Sequence, residues 1–197
     1  MRIGCVLMAA GAASRFGSNK LLSTFRGIPL CEHAFRALPH EFFYRCVAVT
    51  GYDQVAQIAR RYKYGVVTNF NPAAGASFTV RLGTRQLFDA DAALFAVADQ
   101  PLLKKESVKR LLALYRENPG RIVSLAYGER RGNPAVFPRA YFDELMSLSG
   151  DQGGSAVIRE HPEALLLCQV EDERELFDVD TAKELESLSE GGPGGTT

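Results

Sequence analysis

Apolar runs and helical patterns alternate along the first two thirds of the chain. Runs rich in Val, Ala, Leu or aromatic residues predict strands, and the segments between them carry apolar residues at helical spacing. The predicted strands cover residues 2–8, 44–50, 65–69, 92–98 and 121–126, and the predicted helices cover residues 29–38, 52–62, 77–88 and 104–117. This alternation predicts an α/β fold with a doubly wound, mostly parallel sheet and helices on both faces.

The alternation weakens in the later part of the chain, where the segments are shorter. Residues 128–138 predict an irregular turn and a short strand. The other elements predicted here are helices over 139–147 and 153–160, a strand over 165–170, and a last helix from its cap Thr181 to about residue 188. Together these segments predict a small irregular lobe over one side of the sheet.

Length and composition predict one globular domain. The chain has 197 residues, of which 46% are hydrophobic and 23% charged, and it contains no linker. We expect a single domain over residues 1–189 and a disordered tail over residues 190–197, because the Gly-rich end has nothing to bury.

The charge balance and the cysteines narrow the class of protein. The formal net charge is zero, which argues against general binding to nucleic acid or to a membrane surface. We see no apolar run near the roughly 20 residues that span a bilayer and no signal-peptide pattern. The four cysteines lack metal-site spacing, which predicts buried free thiols. We therefore expect a cytoplasmic protein.

The loop after the first strand carries the clearest candidate chemistry. Ala9, Ala10 and Gly11 follow the strand directly, and small residues let a ligand approach the backbone. Arg15 and Lys20 come next, and two cations beside free backbone N–H groups indicate a polyphosphate site. The spacing fits neither a P-loop nor the dinucleotide fingerprint. A small-residue turn with solvated charges remains the alternative.

Three aspartates are candidate metal ligands. Asp99 ends the fourth predicted strand, where open α/β sheets bind ligands and where a carboxylate suits Mg²⁺. Asp178 and Asp180 point the same way in an extended segment, because side chains repeat every second residue. The alternatives are a turn or helix-capping role for Asp99 and a cap of the last helix for Asp180.

Several of these motifs resemble one enzyme family. Ala9-Ala10-Gly11, Arg15-Phe16-Gly17 and Lys20-Leu21-Leu22 resemble the signature loop of the nucleotidyltransferases that build molybdenum cofactors, most closely the molybdenum-cofactor cytidylyltransferase branch of the MobA-like family. The later matching segments are Gly75-Ala-Ser77 with Arg81-Leu-Gly83, Asp99-Gln100-Pro101-Leu102, Gly132-Asn133-Pro134, Gly150-Asp151-Gln-Gly153 and Asp178-Val-Asp180-Thr181. The resemblance therefore runs nearly end to end.

The resemblance implies an activity and a set of roles. It implies Mg²⁺-dependent transfer of CMP from CTP to the terminal phosphate of a molybdopterin-type cofactor, with release of pyrophosphate. Its catalytic residues would be Arg15, Lys20 and Asp99; its nucleotide-binding residues Ala9, Ala10, Gly11, Arg15, Lys20, Asn71, Gly75 and Ser77; its metal ligands Asp99 and Asp180, with Asp178 as the alternative to Asp180; and its acceptor-binding residues Gly132, Asn133, Pro134 and Asp151, with Arg130 and Arg131 available for the acceptor phosphate. A molybdenum hydroxylase would receive the product.

Some features leave other activities open. Two alanines before the glycine go with the cytidylyl branch and two glycines with the guanylyl branch, so Ala9 and Ala10 favour CTP. Ala13, Ala76 and the Gly150–Ser155 segment depart from the usual pattern, and the last of these puts the acceptor in doubt. The alternatives are a guanylyl transferase, a sugar- or polyol-phosphate nucleotidyltransferase on the same fold, and a non-catalytic chaperone for the finished cofactor.

Overall fold

The computed structural model describes residues 1–11 and 19–190, with only the backbone described for residues 189 and 190. The strands are β1 (Ile3–Met8), β2 (Thr24–Phe25), β3 (Ile28–Pro29), β4 (Arg45–Thr50), β5 (Gly65–Thr68), β6 (Ala92–Val97), β7 (Ile122–Tyr127), β8 (Arg130–Pro138) and β9 (Leu165–Gln169). The α-helices are α1 (Leu30–Ala37), α2 (Asp53–Arg61), α3 (Ala76–Gln86), α4 (Lys105–Glu117), α5 (Phe142–Ser147), α6 (Gly154–Glu160) and α7 (Ala182–Glu190). All five strands predicted in the first two thirds are confirmed.

Seven strands form one mostly parallel sheet, in the order β5-β4-β1-β6-β8-β7-β9. Of these described strands, β8 alone runs against the others, antiparallel to both β6 and β7. The central strands β1 and β6 are buried almost throughout, because helices cover both of their faces. The short strands β2 and β3 form a separate antiparallel hairpin.

Two apolar layers cover the two faces of the sheet. Alternate residues of β1 enter different layers: Cys5 and Leu7 pack with α1, α2 and α4, whereas Val6 packs with α3, α5 and α6. The doubly wound, mostly parallel fold is therefore confirmed. The four cysteines are buried free thiols, also as predicted.

The later part of the chain differs from its prediction in two strands, because β8 and β9, expected in a lobe over one side of the sheet, both belong to the main sheet. The segment expected to be an irregular turn and a short strand forms the nine-residue strand β8, inserted between β6 and β7. Val136 is the Cα partner of both Leu94 and Val123, and its burial there extends the main sheet. Gly132, Asn133 and Pro134 interrupt the apolar pattern that identifies a strand, since none of them favours extended structure.

The last helix of the described region begins after Thr181, the cap predicted from the sequence. Glu184 N–H donates to Thr181 Oγ1 at 3.2 Å and Thr181 N–H donates to Glu184 Oε2 at 2.8 Å, a reciprocal cap that starts α7. Helix α7 extends to Glu190, and the rest of the predicted tail, 191–197, lies outside the described residues. Within the described part of the chain, no helix has both the length and the apolar character needed to cross a bilayer.

Candidate nucleotidyl-transfer site

A cavity of about 340 Å³ opens where β1 and β6 end at the carboxyl edge of the sheet. We call it the donor cavity; it is lined by Met8, Ala9, Ala10, Gly11, Lys20, Leu21, Pro72, Gly75, Ala76, Thr79, Val97, Ala98, Asp99 and Asp151. Ligands of open α/β sheets bind at this edge, because the loops that leave the strands there converge on one crevice.

Backbone hydrogen bonds hold the small-residue loop at the floor of the donor cavity. Ala9 N–H donates to Val49 O at 2.9 Å, and Ala98 N–H donates to Met8 O at 3.0 Å. These bonds continue the sheet one residue past its strands, so Ala9 and Ala10 stay buried. A Cβ on Gly11 would meet no described atom within 4 Å, which leaves its backbone open to a ligand.

Gly75 and the Gly150–Asp151 loop form a second wall of the donor cavity. Gly75 has φ +82°, a region that favours glycine, and a Cβ there would overlap Gly150 O and lie 2.6 Å from Asp151 Oδ1. Ser77 N–H donates to Gly150 O at 3.1 Å, which ties the loop to the first turn of α3. The close contact therefore requires glycine at position 75.

Lys20 bridges the carboxylates at the mouth of the donor cavity. Its Nζ donates to Asp99 Oδ2 at 2.8 Å, to Asp180 Oδ1 at 2.9 Å and to Val179 O at 2.9 Å. The Lys20 and Asp99 side chains are 11% and 19% exposed, whereas Asp180 is 57% exposed. Burial lowers the pKa of the Lys20 ammonium, but the charges and hydrogen bonds of Asp99 and Asp180 outweigh that effect and raise it.

The segment around Asp178 is fixed against the loop that carries Asp99. Val179 N–H donates to Asp99 O at 3.0 Å, and Gln100 Nε2 donates to Asp178 Oδ1 at 2.8 Å. Burial, and then the charge of Asp99, raise the pKa of the Asp178 carboxyl to about 6. Asp178 thus adds a third carboxylate near the two that contact Lys20, which leaves the cluster with an excess of negative charge.

The carboxylate cluster fits a divalent cation. Asp99 Oδ1 is buried and has no hydrogen-bond partner among the described residues, so one of its oxygens has room for a further positive ligand. Within the described ranges, no group of three or more His, Cys, Asp or Glu side chains has the arrangement of a metal cage. A cation held here would therefore complete its coordination with substrate phosphates and water, as Mg²⁺ commonly does.

A second cavity, of about 200 Å³, lies beside the first and shares Met8 with it. Its other lining residues are Val80, Phe95, Ser124, Arg131, Gly132, Asn133, Ala135, Phe137, Gly154, Ser155 and Ile158. Phe95 and Phe137 meet edge to face with ring centroids 5.8 Å apart, and Arg131 is the one charged side chain among the lining residues. The second cavity combines an aromatic wall with a single cation.

Residues 5–165 match the sequence profile described as a MobA-like NTP transferase domain. This match covers most of the chain and decides its family. The chain belongs to the MobA-like NTP transferase family. It therefore carries the nucleotidyltransferase domain that the sequence motifs implied, and the family resemblance is confirmed.

One sequence relative and two solved structures of similar fold show what this MobA-like chain resembles. The nicotine blue oxidoreductase of Paenarthrobacter nicotinovorans is 33% identical over 194 residues, which cover 93% of this chain and 94% of that protein. Rv0371c from Mycobacterium tuberculosis H37Rv superposes with a TM-score of 0.79 at 22% identity, covering 97% and 98% of the two chains. A nucleotidyl transferase from Methanothermobacter thermautotroptrophicus gives a TM-score of 0.81 at 20% identity, with 96% of each chain covered.

The structure gathers most of the predicted donor residues of the MobA-like site. Lys20, Asp99, Gly75 and the Ala9–Gly11 segment line one cavity, and Asp180 meets Lys20 at its mouth. Arg15 lies outside the described residues, so its placement stays a prediction.

Three predicted residues lie elsewhere than expected. The Ser77 side chain is fully buried and does not line the donor cavity, because it faces inward from the first turn of α3. Asn71 is also absent from the lining, and its backbone N–H donates to Asn69 Oδ1 at 2.9 Å. Asp151, predicted at the acceptor, lines the donor cavity because its loop packs on Gly75.

The predicted acceptor motif divides between the second cavity and the core. Gly132 and Asn133 line the second cavity, whereas Pro134 is buried and does not. Sequence reasoning missed Thr79 and Met8 in the donor cavity and the carbonyl of Val179 as a partner of Lys20. Thr79 lies two residues beyond the predicted Ser77, nearly on the opposite side of α3, so the helical period separates the two side chains. The Val179 carbonyl leaves no signal in a sequence.

Proposed function

We propose that this protein transfers CMP from CTP to the terminal phosphate of a molybdopterin-type cofactor and releases pyrophosphate. The observation that carries the proposal is the cluster of Lys20, Asp99 and Asp180 at the mouth of a cavity floored by small residues. A cation and paired carboxylates beside a backbone of small residues suit a metal-bound triphosphate, which nucleotidyl transfer requires.

The donor end of the reaction rests on the loop after β1. Ala9 and Ala10 narrow the floor of the donor cavity relative to two glycines, and the smaller space favours a pyrimidine base. Lys20, together with Arg15, would neutralise the triphosphate oxygens during transfer. The bond between the α-phosphorus and its bridging oxygen breaks, and the leaving pyrophosphate takes the bonding electrons.

Asp99 and Asp180, with Asp178 as the alternative to Asp180, would hold Mg²⁺. Bound there, the cation would supply charge neutralisation for the α- and β-phosphates. The unpaired Asp99 Oδ1 supports this assignment. Rv0371c has also been solved in complex with manganese, which supports a divalent cation in a protein of this fold.

The acceptor would enter the second cavity. The buried rings of Phe95 and Phe137 give the second cavity an apolar wall, and Arg131 offers a cation to a phosphate. Because the second cavity adjoins the donor cavity at Met8, an acceptor phosphate oxygen has a short path to the α-phosphorus of the donor. Direct attack by that oxygen needs no protein nucleophile.

Pyrophosphate release tests the donor, the acceptor and the cation in one assay. Each of the four nucleoside triphosphates is incubated with the protein, with and without Mg²⁺ and with and without purified molybdopterin. The expected result is release that needs CTP, Mg²⁺ and the pterin together. Release with GTP, or only with a sugar or polyol phosphate as acceptor, would assign the same site to another transferase reaction.

The name of the 33% identical relative supplies a second candidate, an oxidoreductase. Reduction of nicotine blue is followed by its absorbance, with a chemical reductant supplied as electron donor, on the same protein preparation. Pigment reduction without pyrophosphate release would overturn the transferase proposal. Tight binding of the finished cofactor with neither reaction would indicate a chaperone. A molybdenum hydroxylase as recipient and a cytoplasmic location complete the proposal.

A further inference from the structure

Lys20 lies between Asp99 and Asp180, the two carboxylates that we propose would hold a divalent cation. Its Nζ lies 2.8 Å from Asp99 Oδ2 and 2.9 Å from Asp180 Oδ1, and the side chain is 11% exposed. A third hydrogen bond, 2.9 Å long, runs to Val179 O, so all three ammonium protons have acceptors. The Lys20 ammonium group is therefore a counter-ion that the protein itself supplies to Asp99 and Asp180.

A metal ion and the Lys20 ammonium cannot share these oxygens at low cost. Mg–O bonds are about 2.1 Å long, so a cation bound to either oxygen would lie within about 5 Å of Nζ. Repulsion between the two cations is strong at that distance, because the Lys20 and Asp99 side chains are largely buried. The metal gains the carboxylates only if the ammonium moves away.

The donor cavity offers Lys20 a place to move to. The residue lines that cavity with Ala9, Ala10 and Gly11, and its four-carbon side chain is flexible. A triphosphate bound against this loop would present oxygens to the displaced ammonium. The nucleotide then replaces the interactions that Lys20 loses when it leaves Asp99 and Asp180.

We propose that Lys20 excludes free divalent cations from Asp99 and Asp180, so that the ligand of this site is the metal–triphosphate complex rather than the metal alone. The inference rests on the proposed function only in taking a nucleoside triphosphate as the donor. It does not depend on the identity of the acceptor. The bridge seen in the structure is thus one of two positions of Lys20, and the triphosphate selects the other.

Binding of Mn²⁺, followed by electron paramagnetic resonance without any acceptor, tests this inference. In the absence of nucleotide, Lys20→Met is expected to bind Mn²⁺ about tenfold more tightly than the wild type, because one nearby positive charge is removed. With CTP present the order is expected to reverse, because the wild type then has the ammonium to hold the phosphates. Lys20→Gln repeats the measurement if the Met variant gives little folded protein.

Lys183→Met is the matched control. Lys183 is an exposed residue of α7, three positions after Asp180, and it forms no ion pair among the described residues. Its variant is expected to bind Mn²⁺ like the wild type. Equal or weaker Mn²⁺ binding by both Lys20 variants would overturn the inference, as would an equal gain in Lys183→Met. Either result leaves the transferase assay unaffected, and failure of that assay leaves the Mn²⁺ comparison interpretable.

Discussion

The two cavities at the carboxyl edge of the sheet differ in whether the protein neutralises their cationic side chain. At the donor cavity Lys20 is surrounded by Asp99, Asp180 and the Val179 carbonyl, so its charge is neutralised within the protein. In the second cavity the Arg131 side chain has no ion-pair or hydrogen-bond partner among the described residues. A site that exchanges a multiply charged ligand needs its own counter-ions, whereas a site for one anion needs one free cation.

Removing a carboxylate from the donor cavity should have the largest effect. Asp99→Asn is expected to lower kcat for pyrophosphate release by about 10²–10³-fold, the usual loss when a group that stabilises transition-state charge is removed. Binding of CTP should persist, because the small-residue loop is untouched. Steady-state kinetics and calorimetry with CTP measure the two quantities.

Asp89→Asn is the control for the Asp99 variant. Asp89 makes an ion pair with Arg45 and accepts a hydrogen bond from Tyr44, at the opposite edge of the sheet. This variant should keep kcat within about twofold of the wild type, since surface pairs contribute little. Full turnover by Asp99→Asn would show that Asp99 has no part in holding the cation.

The second largest effect is expected for a substitution at Gly75, in the wall of the donor cavity. Gly75→Ala places a Cβ against Gly150 O at φ +82°, and this conformation costs a non-glycine residue about 1–3 kcal/mol before the overlap is counted. We expect the free energy of unfolding in urea to fall by about 2–3 kcal/mol and the KM for CTP to rise. The rise follows because the Asp151 loop must shift out of the donor cavity.

Gly128→Ala separates backbone strain from overlap. Gly128 also has a positive φ, +57°, but a Cβ there would meet no described atom within 4 Å. Its variant should lose about 1 kcal/mol and leave the KM for CTP unchanged. Equal losses in the two variants would mean that the contact between Gly75 and the 150–151 loop contributes nothing.

Arg131→Met should affect the second cavity alone. Losing one charge-assisted contact to a phosphate is expected to raise the KM for the phosphorylated acceptor about tenfold and to leave the KM for CTP unchanged. The neighbouring Arg130 points to the other side of β8, where its Nη2 donates to Glu173 O at 3.3 Å. Arg130→Met should therefore match the wild type. A changed KM for CTP in the Arg131 variant would place that cation at the donor.

The ends of the central strands are the part of the site that the sequence predicts. Strands β1 and β6 are continuous apolar runs, so their ends, and with them Ala9 and Asp99, were predictable. The parallel arrangement then brings both ends to one edge of the sheet. Ala9 and Asp99, which meet there in the donor cavity, were therefore identified from the sequence.

The parts that escaped prediction depend on distant segments. The partners of Lys20 come from residues about 80 and 160 positions away, and a flexible side chain carries no local mark of its acceptors. Strand β8 was underestimated because its first half contains Gly132, Asn133 and Pro134, and packing between β6 and β7 determines its extent. Tertiary contacts decided both features.

Replacing Asp151 is expected to have the smallest effect. It also distinguishes most directly between nucleotide binding in the donor cavity and acceptor binding in the second cavity. The Asp151 carboxylate lines the donor cavity beside Gly75, although its motif predicted acceptor binding. A carboxylate there can accept hydrogen bonds from ribose hydroxyls or from the cytosine amino group, and Asn keeps only one such oxygen. Asp151→Asn is therefore expected to raise the KM for CTP about fivefold without changing the KM for the acceptor.

Asn133→Ala is the matched variant for the second cavity, because Asn133 lines that cavity and not the donor cavity. It should raise the KM for the acceptor and leave the KM for CTP unchanged. If Asp151→Asn instead behaves like Asn133→Ala, the loop that carries Asp151 serves the acceptor. The two cavities would then form one continuous binding site and not separate sites for the nucleotide and the acceptor.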